Sequence, residues 1–134
     1  MFSQTTEYAL RAMVYLASEP TGASATKEIA AKAKIPSAYL AKVFQYLRRA
    51  GLVHAQRGVG GGIKLAKPLG KISLLEIVEA VDPLRRPTSK TVATLATLEK
   101  TMIAATAMLR EQLAVTTLAD VASTKKGTRR SAKK

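Results

Sequence analysis

The most informative segment of the sequence is Arg57-Gly58-Val59-Gly60-Gly61-Gly62-Ile63-Lys64-Leu65-Ala66-Lys67-Pro68. It places four glycines beside an arginine, between two short segments of β-forming residues. A P-loop is excluded, because that pattern needs Gly-Lys-Ser/Thr leading into a helix and here Lys64 follows Ile63. The dinucleotide pattern needs a third glycine where Ile63 stands, and Pro68 ends regular structure where a helix would continue. The tract is therefore predicted to form the tip of a β-hairpin.

The chain before this tract is predicted to form three helices, the last two joined as a helix-turn-helix. The first helix spans residues 3–17 and the second residues 27–33, with Thr26 as the expected N-cap of the second. The Ile-Pro pair at residues 35–36 ends that helix, and Ser37 is placed to cap a third helix that stops at Gly51. Two short helices joined by a tight turn are typical of a helix-turn-helix.

The third helix has one apolar face and one small, polar face. Apolar residues recur at the spacing of a buried stripe, at Leu40, Val43, Phe44 and Leu47. The opposite stripe has no bulky apolar side chain and consists of Ala38, Ala41, Lys42, Gln45 and Arg49. Such an outer face is typical of a recognition helix that enters the major groove of DNA.

The chain after the third helix is predicted to form a hairpin and three further helices. Strands are expected over residues 52–55 and 63–66, on either side of the glycines. Ser73-Leu74-Leu75-Glu76 is a capping box for a fourth helix, which stops before Pro83. A long helix follows over residues 91–115, and residues 117–120 are placed to start a short final helix. The predicted fold is mainly α, a winged helix-turn-helix with a small β-hairpin wing and a long C-terminal dimerisation helix.

The long helix carries a mostly apolar stripe at alternating spacings of three and four residues, Leu95, Leu98, Met102, Ala105, Leu109 and Gln112. This stripe could cover its own domain or pair with its copy. A homodimer is favoured, because the winged helix already has its own core and because two-fold symmetry matches palindromic DNA sites. The predicted domains are residues 1–82 for DNA binding, 83–123 for the dimerisation helix and short terminal helix, and 124–134 for a basic, disordered tail.

Positive charge is concentrated in two parts of the chain. Residues 1–71 hold 11 Lys/Arg against 3 Asp/Glu, residues 72–123 hold 5 against 6, and residues 124–134 hold 6 against none, which together give +13. A basic half beside a neutral half favours a polyanion such as double-stranded DNA as the partner, the alternative being a solvated, lysine-rich surface. The aromatic content of 4% argues against a single-strand binder built on base stacking.

The composition also excludes several classes of protein. There is no cysteine, so disulfides, thiolate metal sites and thiol catalysis are excluded, and the single histidine, His54, cannot form a multi-histidine metal site. No combination of nucleophile and base suggests an enzyme, and no cofactor or metal is expected. Because there is no apolar run of membrane-spanning length and no signal-peptide pattern, we expect a cytoplasmic protein at the bacterial nucleoid, without a membrane partner.

Several segments form a specific pattern when they are taken together. They are residues 3–12, 29–30, 39–40, 47–53 and the tract 57–62, followed by residues 65–68, 72–74 and 77–81. In this pattern the chain resembles the Rrf2 family of bacterial winged-helix transcription regulators, of the IscR and NsrR type. The match covers residues 1–82 in register, and the remainder is similar only in architecture. The resemblance implies a homodimer with a long C-terminal dimerisation helix, each wing entering a minor groove.

Two departures from that family change what is expected. Many members hold an iron–sulfur cluster on three cysteines between the fourth helix and the dimerisation helix, whereas residues 81–90 here contain no sulfur ligand. A cluster is therefore not expected, and Glu7, at the position of an acidic cluster ligand in one branch, is interpreted as a helix-start charge. Ala41 stands where the cluster-assembly regulator has a base-reading glutamate. Because alanine can touch a thymine methyl but cannot accept a hydrogen bond from cytosine, a different operator is expected.

The predicted DNA contacts fall into three groups. Arg57 at the hairpin tip is expected to enter the minor groove, while Gly58 and Gly60 let the backbone approach phosphates. Base edges in the major groove are expected to meet the outer face of the third helix, at Ala38, Ala41, Lys42 and Gln45. Phosphate contacts are expected from Tyr8, Lys27, Ser37, Tyr39 and Lys64.

Each group has a purely structural alternative. The glycines could simply form a tight turn, Lys42 and Gln45 could belong to a solvated helix face, and the two tyrosines could be half-buried core residues.

These patterns predict a homodimeric, sequence-specific transcriptional regulator, expected to act as a repressor on a pseudo-palindromic operator. The alternative is an architectural protein that binds nucleic acid without sequence preference through the basic tail. The effector could be a small molecule, a partner protein, or absent.

Overall fold

The computed structural model describes residues 2–56, 62–82 and 96–122, and it confirms the mainly helical fold class with a small antiparallel sheet. The helices are α1 (Gln4–Ser18), α2 (Thr26–Ala33), α3 (Ser37–Arg49), α4 (Leu74–Val81) and α5 (Ala96–Val115), with a further helical segment over residues 118–122. The strands are β1 (Ala23–Ser24), β2 (Val53–Gln56) and β3 (Gly62–Leu65), and a 3-10 turn covers Leu69–Lys71. Within these ranges, no helix combines the length and the apolar character that a membrane span requires.

Helix α1 begins where the sequence predicts and forms the centre of the core. The Ser3 side chain accepts a hydrogen bond from the Thr6 backbone N–H at 3.1 Å, and Glu7 adds a negative charge to the first turn. Met13 and Leu16 are completely buried on the face that packs against α2, α3 and α4. The helix therefore gains its stability from this packed face as well as from its cap.

The N-caps predicted for α2 and α3 are wrong by one residue. Thr26 and Ser37 are the first helical residues, and the caps are Ala25 and Pro36, which make no side-chain cap hydrogen bond. The backbone oxygens of both caps accept the first helical hydrogen bond at 3.0 Å. Ala25 directly follows β1 and Pro36 has a fixed φ of −57°, so the chain changes from extended to helical before either hydroxyl residue.

The sheet has the order β1-β3-β2, with both pairs antiparallel. Strands β2 and β3 form the predicted hairpin, with its boundaries displaced by one residue, but β1 was not predicted. The first residue of β3, Gly62, has a φ of +144°, and a Cβ added there would lie 2.3 Å from the backbone oxygen of Ser24 in β1. The close approach of β1 to β3 therefore requires glycine at this position.

The capping box predicted for α4 is confirmed. Ser73 accepts from the Glu76 backbone N–H and Glu76 accepts from the Ser73 backbone N–H, both at 3.1 Å. Burial alone would raise the pKa of Glu76, but hydrogen bonds from Lys67 and from the Ser73 backbone outweigh it and hold that pKa below its usual value. The Lys67 ammonium lies 2.8 Å from the Glu76 carboxylate, so it links the chain after β3 to the start of α4.

The chain returns to the core after α5. Thr117 and Asp120 cap the segment 118–122 reciprocally, with backbone-to-side-chain hydrogen bonds of 2.9 and 3.2 Å, as predicted for a short final helix. The Leu118 backbone N–H donates to the Ile72 oxygen at 2.9 Å, and the Leu118 side chain is fully buried among residues of α1 and α3. The domain boundary at residue 82 remains a prediction, but the terminal segment shares the core of the N-terminal helices.

Candidate nucleic-acid interface

The two faces predicted for α3 are confirmed. Leu40, Val43 and Leu47 are completely buried and Phe44 is nearly so, which turns the opposite face outward. The exposed residues on and beside that face are Ser37, Ala38, Ala41, Lys42, Gln45 and Arg49. The candidate base-contacting residues therefore lie together on one solvent-facing surface, while their contact with DNA remains a prediction.

The turn between α2 and α3 is fixed by its backbone. Lys34 adopts the left-handed conformation with φ +56°, and the Ile35 N–H donates to the Ala30 oxygen at 2.9 Å. Ile35 is 3% exposed, so its side chain holds the turn against the core. Lys27 is exposed in the first turn of α2, where a phosphate would also meet the positive end of the helix dipole.

Arg48 belongs to the same surface, although it is not among the predicted DNA contacts. It lines a cavity of about 280 Å³ together with Ala41 and Gln45 of α3, Thr26 of α2 and Ile63 of β3. The spacing Ala41, Gln45, Arg48 places three side chains on one stripe of the helix, and that spacing was the available signal. A guanidinium beside candidate base-contacting residues adds a donor suited to a phosphate or a guanine edge.

The wing is only partly described. Lys64 in β3 is half-buried and pairs across the sheet with Ala23 on one side and His54 on the other. Arg57, Gly58 and Gly60, the predicted tip residues, lie outside the described residues. Strands β2 and β3 therefore establish the base of the hairpin, directly after α3.

Tyr8, a predicted phosphate contact, is buried against a second tyrosine. It is 8% exposed, and its ring packs edge to face against Tyr39 with centroids 5.3 Å apart. This burial is what the alternative of a core aromatic expects, while the phosphate contact of Tyr8 remains a prediction. Tyr39 is 42% exposed at the first turn of α3 and so stays available to a phosphate.

Arg11, which is not among the predicted site residues, connects α1 to the helix-turn-helix. Its guanidinium carbon lies 5.3 Å from the centroid of the Tyr8 ring, which is a cation–π contact. Its Nη1 donates to the backbone oxygens of Ala33 and Lys34 at 3.4 and 3.2 Å. These oxygens belong to the C-terminal end of α2, so Arg11 satisfies carbonyls that the helix itself leaves unpaired.

The surrounding sequence makes this side of the molecule strongly positive. Residues 29–75, which contain the end of α2, all of α3 and the wing, include nine Lys/Arg and no Asp/Glu. No carboxylate of this segment can therefore neutralise the exposed cations Lys42, Arg48 and Arg49. Such an excess of positive charge attracts the phosphate backbone of a nucleic acid.

The predicted dimer stripe on α5 is largely exposed in the single chain. Leu98 and Met102 are 56% and 50% exposed, and Ala105 and Gln112 are exposed, whereas Leu109 is half-buried. Leu95 lies outside the described residues. A neighbouring side of α5 packs against α4, through the buried Leu113 and an ion pair between Arg110 and Glu79.

Comparison with known proteins identifies the family. Residues 2–124 match the family model described as Rrf2, Iron-dependent Transcriptional regulator. The slr0846 protein of Synechocystis sp., named as an HTH-type transcriptional regulator, is 42% identical over 81 residues, which span 60% of this chain and 55% of that relative.

Two solved structures are similar over most of their length. CymR, the global cysteine regulator of B. subtilis, has a TM-score of 0.79 at 28% identity, covering 92% of this chain and 96% of its own. T. potens IscR has a TM-score of 0.73 at 28% identity, covering 90% of this chain and 85% of its own. Because the family model matches nearly the whole sequence, this chain belongs to the Rrf2 family of transcriptional regulators.

Proposed function

We propose that this protein is a sequence-specific DNA-binding transcriptional regulator, which acts as a homodimeric repressor and holds no iron–sulfur cluster. The observation that carries the proposal is the outer face of α3, where small and polar side chains are exposed within a segment that has no carboxylate. A helix with this surface fits the major groove, and the wing is proposed to reach the same duplex because strands β2 and β3 follow α3 directly. A dimer seated on two half-sites would cover promoter DNA, and repression is therefore the proposed mode.

The residues present do not fit an iron–sulfur cluster. Such clusters are held by cysteine thiolates, and this chain contains no cysteine. Over residues 2–56, 62–82 and 96–122, no group of three His, Cys, Asp or Glu side chains could hold a metal ion. The iron named in the family description therefore has no suitable donor set there, and regulation is proposed to use a different signal.

Selection of binding fragments from genomic DNA, followed by footprinting, tests the proposed function directly. We expect one enriched pseudo-palindromic sequence and a protected site that contains it. With about 6–10 phosphates neutralised per dimer, the slope of log affinity against log salt concentration should be about −5 to −9. Fragments enriched without any common sequence would contradict the proposal.

Arg57→Ala should weaken binding to the selected operator by about 1–3 kcal/mol, and should weaken binding to random DNA less. The reason is that an arginine inserted into a minor groove responds to the width and potential of that groove. Fluorescence anisotropy with both duplexes at one salt concentration measures the difference. If operator binding were unchanged, the assignment of the wing would be wrong.

The alternative function is non-specific binding through the basic tail. Deleting residues 124–134 separates the two, because a sequence-specific regulator keeps its footprint while an architectural protein loses most of its affinity. The Lys42→Ala and Gln45→Ala variants provide a second test. They should lose the preference for the operator if the protein is a sequence-specific regulator, and should bind DNA almost as before if it binds through the tail.

Met102→Asp should dissociate the proposed dimer, raising its dissociation constant at least about a hundredfold, because a carboxylate would be buried without a partner. Met108→Asp is the matched control, since Met108 is 72% exposed and lies about 120° around the helix from Met102. Analytical ultracentrifugation measures both. Equal dissociation in the two variants, or in neither, would place the interface elsewhere.

A further inference from the structure

A cavity of about 700 Å³ lies between α1 and the C-terminal end of α2. None of its lining residues belongs to α3 or to the wing, so it is separate from the candidate nucleic-acid interface. Its apolar wall is formed by Leu10 and Val14 of α1 and by Ala33 of α2. The volume falls within the range of about 300–1,000 Å³ that is usual for small-molecule sites.

The charged residues of this cavity are unevenly distributed. Arg11 and Lys32 supply positive charge, while Glu19 lies eight residues after Arg11, which is about 12 Å along the axis of α1. Burial raises the pKa of Tyr15, and the neighbouring Glu19 raises it further. Lys32 has no ion-pair partner among the described residues. Two of the three charged residues that line the cavity are cations, so its net charge is positive.

Arg11 places this cavity in direct contact with the helix-turn-helix. The same guanidinium that lines the cavity donates to the oxygens of Ala33 and Lys34, at the turn that leads into α3. At 3.4 and 3.2 Å, these hydrogen bonds to neutral acceptors are long. A carboxylate accepts shorter, charge-assisted hydrogen bonds from arginine, about twice as strong as neutral ones, so it would compete well for this group.

From this arrangement we infer that the cavity binds a small organic carboxylate with an apolar body, and that its binding weakens DNA binding by drawing Arg11 away from the turn. The carboxylate is bound by Arg11 and Lys32, and the apolar body lies against Leu10 and Val14. The inference deepens the proposed function and rests on it, because the turn matters for regulation only if α3 binds DNA. A carboxylate is favoured over a compact inorganic anion because the apolar wall offers the latter nothing.

The first experiment uses three matched six-carbon probes, hexanoate, hexylamine and hexanol, added to the full-length protein without DNA in about 0.15 M salt. Amide chemical shifts report binding and its location. Hexanoate should half-saturate on the order of 1–10 mM and shift residues of α1 and α2, while the amine and the alcohol should not. Equal responses to all three probes, or no saturation by hexanoate at tens of millimolar, would overturn the inference.

Charge variants distinguish a built site from general anion attraction. Lys32→Gln should weaken hexanoate binding about tenfold, because it removes one of the two cations that bind the carboxylate. Lys71→Gln is the matched control, since Lys71 is exposed on the 3-10 turn, does not line the cavity and loses the same charge. If Lys71→Gln weakened binding as much as Lys32→Gln, the response would reflect net charge and the inference would be wrong.

A separate experiment measures how hexanoate binding in the cavity changes the affinity for DNA. At a hexanoate concentration that saturates the unaltered protein, with chloride replaced by hexanoate so that total salt stays constant, the affinity for the selected operator should fall about fivefold, and the loss should be clearly smaller in Lys32→Gln. If hexanoate occupied the cavity but left operator affinity unchanged, the regulatory half of the inference would be refuted. Failure to select any operator would instead contradict the proposed function, and the DNA-free titration would still decide whether the cavity binds carboxylates.

Discussion

Replacing Gly62 by alanine should destabilise the folded protein by about 2–5 kcal/mol. The new Cβ would lie 2.3 Å from the Ser24 oxygen and 2.8 Å from the Ala25 Cα, and neither backbone atom can move away without separating β1 from β3. The φ of +144° adds a second cost, because alanine rarely adopts that conformation. Urea unfolding followed by circular dichroism, at one fixed protein concentration, measures the change.

Two other glycines separate the causes of this effect. A Cβ added at Gly51 would meet no atom within 4 Å, but the φ there is +79°. Gly51→Ala should therefore lower the free energy of unfolding by about 1 kcal/mol through backbone strain alone. Gly70→Ala meets no atom within that distance and has no positive φ, so it should change the free energy of unfolding by less than about 0.5 kcal/mol. If all three variants unfolded at the same urea concentration, the contact between β1 and β3 would be wrong.

Leu118→Ala should destabilise the protein by about 2–5 kcal/mol, the usual range for removing a fully buried leucine side chain. Leu118 is completely buried in the cluster that contains Met13 and Leu40, although it lies near the other end of the sequence. Val115→Ala is the control, because Val115 is three residues away and 67% exposed, and should change stability by less than about 0.5 kcal/mol. Thermal and urea unfolding measure both variants.

An equal and small effect of Leu118→Ala and Val115→Ala would contradict the shared core. It would mean that residues 118–122 can separate from the N-terminal helices without loss of stability. A large effect of Leu118→Ala would show that truncation before residue 118 removes part of the core, so that residues 1–82 alone would lack a residue on which their packing depends.

The features that could be predicted from the sequence are those with a local cause. The capping boxes at Ser73 and Thr117 depend on residues three positions apart, and the two faces of α3 depend on helical periodicity. Strand β1 has only two residues and shows no alternation, so its pairing with β3 could not be recognised. The caps at Ala25 and Pro36 are set by the entry of the chain from extended structure, which has no side-chain signature.

The candidate site also has some features that could be predicted from the sequence and others that could not. The outward position of Lys42 and Gln45 follows from the buried stripe opposite them, so the sequence was sufficient to predict that both side chains are exposed. The burial of Tyr8 against Tyr39 depends on how α1 packs on α3, and the contact of Arg11 with the end of α2 depends on the same packing. Both involve residues more than twenty positions apart, for which the sequence pattern provides no distance.

The attachment of α5 has a mechanical consequence. Near its C-terminal end the helix is tied to α4 by Leu113, by the pair Arg110 and Glu79, and by the Leu74 N–H that donates to the Thr116 oxygen at 2.8 Å. Leu98, on the exposed stripe, lies fifteen residues before Leu113, about 22 Å along the axis. Because these contacts lie near one end of the described helix, a tilt of about 10° at the attachment would move Leu98 by about 4 Å. The angle between α5 and α4 therefore determines the position of a partner bound to that stripe.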